Sequence, residues 1–282
     1  MVGRRPDGYH DIETIFLPIP LADCLEIEPS HEDDFSMDGR PLDCDNADNL
    51  VLKTLRLLRN EGYDVPAVSI CLTKNIPSGA GLGGGSADAA FTMKALNQLF
   101  GLGLNNLQMQ RLVRRLGADC PMFVNNVPVF AEGTGDVFHE LPVDMVQKAY
   151  CMLPPVGAAL PPTQALLMPR CLSGYWLVLV KPDEFISTGE AYKGVRPRPA
   201  RHYLPDVITR SVRQWKGRMV NDFEESVFPM HPVVAGIYDQ LYMLGAHYAS
   251  MSGSGSTVYG LFPQRPMLGN VFADHFFWQT EL

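Results

Sequence analysis

An α+β fold divided into two domains that share a cleft is what this sequence predicts, on three observations. Its 282 residues exceed what one hydrophobic core usually organises, and 46% hydrophobic with 19% charged residues is ordinary globular composition. Strand-like and helix-like stretches follow one another through the first half, with a glycine-rich turn between one strand and a buried helix. A proline-rich stretch then separates that half from the apolar run Tyr175 to Val180, where a second domain begins.

Taken in order, Ile12 to Ile19 and Leu25 to Ile27 mix β-branched and acidic residues as half-buried strands do, and a polar loop is expected from Pro29 to Asn46. Asp48-Asn49 introduces a helix whose residues Leu50, Val51, Leu55, Leu57 and Leu58 fit one face, with Gly62 as its stop. Val65 to Leu72 reads as a strand, and Ala87 to Leu99 has the Ala, Met and Leu content of a buried helix. A further helix from Leu107 to Leu116 ends at Gly117. Val127 to Ala131 and Val137 to Leu141 form a hairpin turning at Glu132-Gly133-Thr134-Gly135. From Met145 to Cys171 the prolines Pro154, Pro155, Pro161, Pro162 and Pro169 predict mostly loop, so residues 1–144 and 172–282 are expected as lobes joined by an insertion or linker over 145–171. In the second lobe the buried strand Tyr175 to Val180 is closed by Pro182. Amphipathic segments Val207 to Trp215, Asp222 to Val227 and Val233 to Leu244 then precede the turn Ser250 to Ser256, which feeds a strand from Thr257 to Phe262.

A net charge of -8 without any Lys/Arg run excludes a nucleic-acid binder, because phosphate neutralisation needs a clustered basic surface. The six cysteines (Cys24, Cys44, Cys71, Cys120, Cys151, Cys171) contain no CxxC pair, so neither a zinc site nor a disulfide framework is indicated, which suits a reducing cytoplasm. No apolar stretch reaches the roughly 18 residues of a membrane span, and the opening MVGRRPDGYHD has no apolar signal core. A soluble cytoplasmic protein is therefore expected.

Seven residues from Gly79 to Gly85 contain five glycines. Glycine there lets successive backbone N–H groups point at one centre, which makes an anion nest. With Ser86 as a cap and the positive end of the following helix dipole beside it, a nucleoside triphosphate is the expected guest. A tight strand-to-helix turn would use glycines too. Gly79, Gly81 and Gly84 also fit GxGxxG, but a dinucleotide site needs an acidic strand end about 20 residues later, where this sequence has helix and loop. A Walker loop is excluded because no Gly-Lys-Ser/Thr follows.

Three motifs together resemble those of GHMP kinases. They are Pro77-Ser78-Gly79-Ala80-Gly81-Leu82-Gly83-Gly84-Gly85-Ser86, Leu116-Gly117-Ala118-Asp119-Cys120-Pro121 and Met251-Ser252-Gly253-Ser254-Gly255-Ser256, in that superfamily's order. The opening Gly3-Arg4-Arg5-Pro6-Asp7-Gly8-Tyr9-His10 and the stretch Asp183 to Val195 resemble the branch that acts on 4-diphosphocytidyl-2-C-methyl-D-erythritol. The resemblance implies the two-lobed GHMP kinase fold with the active site between the lobes. It further implies transfer of the ATP γ-phosphoryl group to the 2-hydroxyl of that acceptor, an early step toward isoprenoid precursors.

By the same resemblance, residues Pro77 to Ser86 bind ATP, with Asn49 and Lys74 lining the adenine pocket. Tyr9 and Tyr192 stack on cytosine, His10 reads its edge, Ser252 and Gly253 support the phosphate loop or the substrate, and Asp119 is the carboxylate beside the attacking hydroxyl. Their chemistry suits these roles, since a flat base wants aromatic faces and phosphoryl transfer wants a carboxylate near the nucleophile. Each also has a plainer alternative: a helix cap for Asn49 or Asp119, a surface lysine for Lys74, a solvated turn for His10, backbone geometry for Ser252 and Gly253. Mg²⁺ is implied by the triphosphate, with its ligands unassigned, and a monomer or homodimer is expected.

Two departures from the family pattern carry expectations. Relatives place another strand, with an Ala-Lys-Ile/Leu-Asn motif, ahead of the GRRPDGYH segment; without it, exposed sheet edge and lost positive charge at the reaction centre are expected. The stretch Met145 to Cys171 is expected to be an insertion. Two other functions stay open on sequence alone: a GHMP kinase for homoserine, mevalonate or a sugar, and a nucleotide-binding relic disabled by lack of the first strand.

Overall fold

The computed structural model describes residues 1–42, 45–152 and 163–282. A short ladder pairs β1 (Gly3–Arg4) with β2 (His10–Asp11). The strands β3 (Thr14–Phe16), β4 (Cys24–Pro29) and β5 (Asp34–Gly39) follow, then α1 (Leu50–Asn60), β6 (Val68–Lys74), α2 (Gly84–Leu99), α3 (Asn106–Val113) and α4 (Met122–Asn125). The first half closes with β7 (Val129–Glu132) and β8 (Val137–Glu140), the predicted hairpin. The second half comprises β9 (Val146–Met152), β10 (Thr163–Pro169), β11 (Trp176–Lys181), α5 (Thr188–Lys193), α6 (Leu204–Ile208), α7 (Glu224–Val227), α8 (Pro232–Met243), β12 (Tyr248–Met251), β13 (Val258–Phe262) and β14 (Phe276–Glu281). Among the described residues no helix is long and apolar enough to cross a membrane.

In the first half β6 is the centre of a β4-β6-β5 sheet, antiparallel to β4 and parallel to β5. Alternate residues Val68, Ile70 and Leu72 of β6 are buried against Val51, Leu55 and Leu58 of α1 and Ala89, Ala90, Met93 and Leu96 of α2. That period of two against a period of three to four is what fixes which faces meet. The same alternation leads the strand's last residue, Lys74, into the interior, which matters for the site below.

In the second half an antiparallel sheet runs β12-β13-β11-β14. The run Trp176 to Val180 is apolar throughout because both its faces are covered. Val178 and Val180 pack with Val227, Val234, Ile237 and Leu241, whereas Leu177 and Leu179 pack with Ile208, Trp215 and the first-half residues Leu21, Ile76 and Phe130. The second cluster therefore joins the two halves just beneath the glycine turn.

The structure corrects three sequence expectations here. The predicted loop from Pro29 to Asn46 contains β5, whose Phe35 and Met37 alternate with polar residues too briefly to stand out. The stretch Met145 to Cys171 is not mostly loop where it is described: β9 and β10 pair from Val146↔Pro169 to Met152↔Thr163, Leu166 is buried, and Val146 and Met168 are buried in the shared cluster. Pro154, Pro155, Pro161 and Pro162 lie outside the described residues, and Pro169 only ends β10. The buried helix begins at Gly84, three residues before Ala87, so the last glycines of the turn are its first turn.

Candidate active site

The glycine turn spans the gap between the end of β6 and the start of α2. Gly79, Gly81 and Gly83 are all left-handed, with φ of +58°, +69° and +69°. Gly83 occupies the cap position of α2, and no side chain caps that end. Ser86 is thus not the cap the sequence predicts; it lies inside the first turn, because a left-handed glycine already reverses the chain there. The result is a 16-residue helix whose first N–H groups remain free for an anion.

A second turn from the other half buttresses this one. Ser252 Oγ donates to Gly81 O at 2.8 Å, and Thr257 N donates to Ala80 O at 3.3 Å. The buttress is itself fixed by two residues that the sequence reading missed. Asn221 Nδ2 donates to both Met251 O and Gly253 O at 2.8 Å, and the half-buried Glu224 carboxylate accepts from Ser250 Oγ at 2.6 Å and Met251 N at 2.8 Å. Glu224 lies in a stretch read only as an amphipathic segment and Asn221 just ahead of it, since the partners lie some 30 residues further along.

Lys74 and Asn49 are anchored rather than open. Lys74 is 2% exposed, and its Nζ donates to Asp23 Oδ2 and, at 2.7 Å, to Asp88 Oδ2; this removes the surface-lysine alternative. Although burial works against its charge, the two carboxylates hold Lys74 above the ordinary lysine pKa. Burial pushes Asp88 up to about 7, with Lys74 opposing the shift and Asp23 reinforcing it. Asp23 also accepts from Asn75 N at 2.6 Å and Ile76 N at 2.8 Å, so this triad sets where the glycine turn leaves β6. Lys74→Met strands two buried carboxylates and is expected to cost about 3–5 kcal/mol in urea unfolding. Asn49 is the cap of α1, its Oδ1 accepting from Val51 N at 2.9 Å, while Leu50 beside it reaches within 3.5 Å of a Cβ position on Gly85. One sequence signal for the triad was Asp88 itself, the lone carboxylate of α2.

A cleft of about 560 Å³ lies beside the glycine turn, lined by Asp119, Thr188, Tyr192, Phe223, Ser252 and Gly253 among others. Asp119 belongs to the turn after α3. A Cβ on Gly117 would lie 3.9 Å from Ser86 Oγ, which puts this turn against the first turn of α2. The Asp119 side chain is open to the cleft but surrounded by its walls, and that loss of bulk water pushes its carboxyl pKa up. Burial, and after it the Asp119 charge, raises the Tyr192 phenol, so the two face the same space.

Tyr192 stands on α5, which Ser187 caps by accepting from Glu190 N at 3.1 Å. Its ring meets His10 at 5.1 Å between centroids and, edge-on, Phe223 at 4.8 Å. Phe223 was not foreseen. The structure therefore brings Asp119, Tyr192, Ser252 and Gly253 to one cleft with His10 against Tyr192, while Tyr9 is 67% exposed and outside the cleft lining. Arg198, Arg201 and Arg218 also line the cleft together with Glu13, Asp222 and Glu225, and Arg198 is ion-paired with Glu225. Such a site can hold a triphosphate at α2, a flat base at Tyr192 and a nucleophile at Asp119.

Comparison with known proteins agrees with that chemistry. Residues 49–130 match the family described as GHMP kinases N terminal domain, and residues 207–270 match GHMP kinases C terminal. The 4-diphosphocytidyl-2-C-methyl-D-erythritol kinase of Parabacteroides distasonis is 46% identical over 284 residues, covering 100% of this chain and 94% of the relative. The protein of the same name from Bacteroides fragilis is 44% identical, covering 99% and 93%. A solved structure of 4-(cytidine 5'-diphospho)-2C-methyl-D-erythritol kinase superposes with a TM-score of 0.73 at 27% identity, covering 99% of this chain and 92% of that one. The mevalonate kinase of Methanococcus jannaschii superposes at 0.60 with 12% identity and 98% coverage of both chains, a likeness of fold alone.

Proposed function

The chain belongs to the 4-diphosphocytidyl-2-C-methyl-D-erythritol kinase family of GHMP kinases, and from that premise we propose that it transfers the γ-phosphoryl group of ATP to the 2-hydroxyl of that acceptor, in isoprenoid precursor biosynthesis. The observation that carries the site assignment is the packing of the Asp119 turn against the uncapped start of α2. In this reading a carboxylate stands next to the place where a γ-phosphate would rest.

In this reading residues 1–144 form the lobe that holds ATP on the Pro77 to Ser86 turn, and residues 172–282 complete the acceptor site. The acceptor's cytosine lies against Tyr192, with His10 behind that ring and Tyr9 free to close over from the surface. Asp119 takes the proton from the 2-hydroxyl as its oxygen bonds to Pγ and the bond from Pγ to the β-phosphate bridging oxygen breaks, releasing ADP. A carboxylate made more basic by burial holds that proton better than an ordinary one. Among the described residues no cluster of three or more His, Cys, Asp or Glu could hold a metal, and Mg²⁺ brought by the triphosphate would be held largely by phosphate oxygens. Ser86 is an oxygen donor at this end of the nest that would help to hold it, and when bound it would neutralise phosphate charge.

The assay is ADP release from ATP and Mg²⁺ with the cytidine acceptor, beside homoserine and mevalonate. Release with the cytidine acceptor alone is expected, and that acceptor should also raise the melting temperature, because a ligand of the folded state stabilises it. Release with homoserine or mevalonate instead would assign another GHMP activity, and stabilisation by ATP without any transfer would leave only nucleotide binding.

A further inference from the structure

We propose that Phe185 determines nucleotide affinity by stacking on the adenine of ATP from the second half of the molecule. The inference rests on the glycine turn being the ATP site, and adds to it a residue that none of the three motifs contains.

Phe185 lies between β11 and α5 and is 68% exposed, while the next residue, Ile186, is 3% exposed. Its backbone is held from both sides. Ser256 Oγ donates to Glu184 O at 2.7 Å, and Ile186 Cδ1 lies 3.1 Å from a Cβ position on Gly255. An aromatic ring kept in water on a fixed backbone is an unfavourable exposure unless something covers it. The ring is not isolated: its Cδ2 and Cε2 lie 3.0 and 3.1 Å from a Cβ position on Gly79. It therefore leans on the first glycine of the nest.

Which part of ATP passes there follows from the polarity of the site. Gly117, in the turn that carries Asp119, is packed at the Ser86 end, so the γ-phosphate, the group to be transferred, must lie at that end. The α-phosphate and the nucleoside then leave toward the opposite end of the turn, which begins at Gly79. The acceptor is not a competing occupant, because Phe185 lies outside the cleft that holds Asp119 and Tyr192. The Lys74 ammonium is held by two carboxylates and the Asn49 carbonyl by Val51 N, and these inner positions offer a base hydrogen-bond donors but no aromatic face. A rigid aromatic face at the nucleoside end supplies the stacking they lack.

The test is calorimetric titration of the full chain with ADP and with inorganic tripolyphosphate, without acceptor. Phe185→Ala should weaken ADP by about tenfold, and Phe185→Tyr, which keeps the ring, should stay within about twofold. Tripolyphosphate, which has no base, should bind the three proteins alike. Unchanged ADP affinity in Phe185→Ala overturns the proposal, and so does an equal loss for tripolyphosphate, which would mean that the ring only shapes the glycine turn. Wild-type protein that fails to bind ADP at all would overturn the underlying ATP reading instead. The exposed position makes misfolding of the alanine variant an unlikely confounder, and an unshifted melting temperature checks it.

Discussion

Asp119→Ala lowers turnover by about 10²- to 10⁴-fold while ADP binds as before, because the substitution removes the proton acceptor and leaves the nest intact. Steady-state kinetics beside ADP titration checks both halves, and near-normal turnover would sink the assignment of Asp119. The pH profile adds a sign. Only the ionised carboxylate accepts a proton, and burial raises its pKa, so the acid limb of kcat lies above the ordinary aspartate value of about 4. Activity falls as pH drops through that raised value. Stability runs the other way. The folded chain holds the Asp119 proton more tightly than the unfolded one, so its contribution is fully present below the unfolded pKa and lost as pH rises through the folded one. Asp119→Asn, permanently neutral, should melt above the wild type at neutral pH, and the gap should close toward acid.

What the sequence disclosed and what it hid follow from how local each signal is. Five glycines in seven residues announce a nest by themselves, and the turn from Leu116 to Pro121 is equally self-contained. The Lys74 ion cluster was hidden because its partner Asp23 lies 51 residues away; besides the lone Asp88, the strand's alternation hinted that the lysine points inward. Asn221 and Glu224 were hidden for the same reason: their meaning lies in bonds to a turn whose backbone gives no sequence signal. In β9 and β10 the prolines outweighed a valid alternation, in which Leu166 and Met168 are both buried and Met168 joins the shared core. The strand β14 escaped because its neighbour in the sheet, β11, comes about a hundred residues earlier, a pairing that no local pattern encodes.

The turn packing that these distant bonds create is best tested at Gly81. Gly81→Ala is expected to cost at least about 3 kcal/mol in urea unfolding and to abolish ADP binding. The left-handed backbone alone accounts for about 1–2 kcal/mol of that. The rest comes from contact: a Cβ there would lie 2.1 Å from Ser252 O and 2.9 Å from Gly255 O, both backbone atoms that no rotamer change can move aside. Relief requires shifting the whole Met251 to Ser256 turn, and Asn221 and Glu224 hold that turn by four hydrogen bonds. Two comparisons separate these contributions. Gly101→Ala faces the same left-handed strain, at φ +61°, with nothing within 4 Å of the new Cβ, and should lose only the conformational part. Ser252→Ala removes the 2.8 Å bond to Gly81 without adding an atom, and should cost about 1 kcal/mol. If Gly81→Ala were no worse than Gly101→Ala, the two turns would not be pressed together as the structure has them, and the second half would have no part in shaping the phosphate nest.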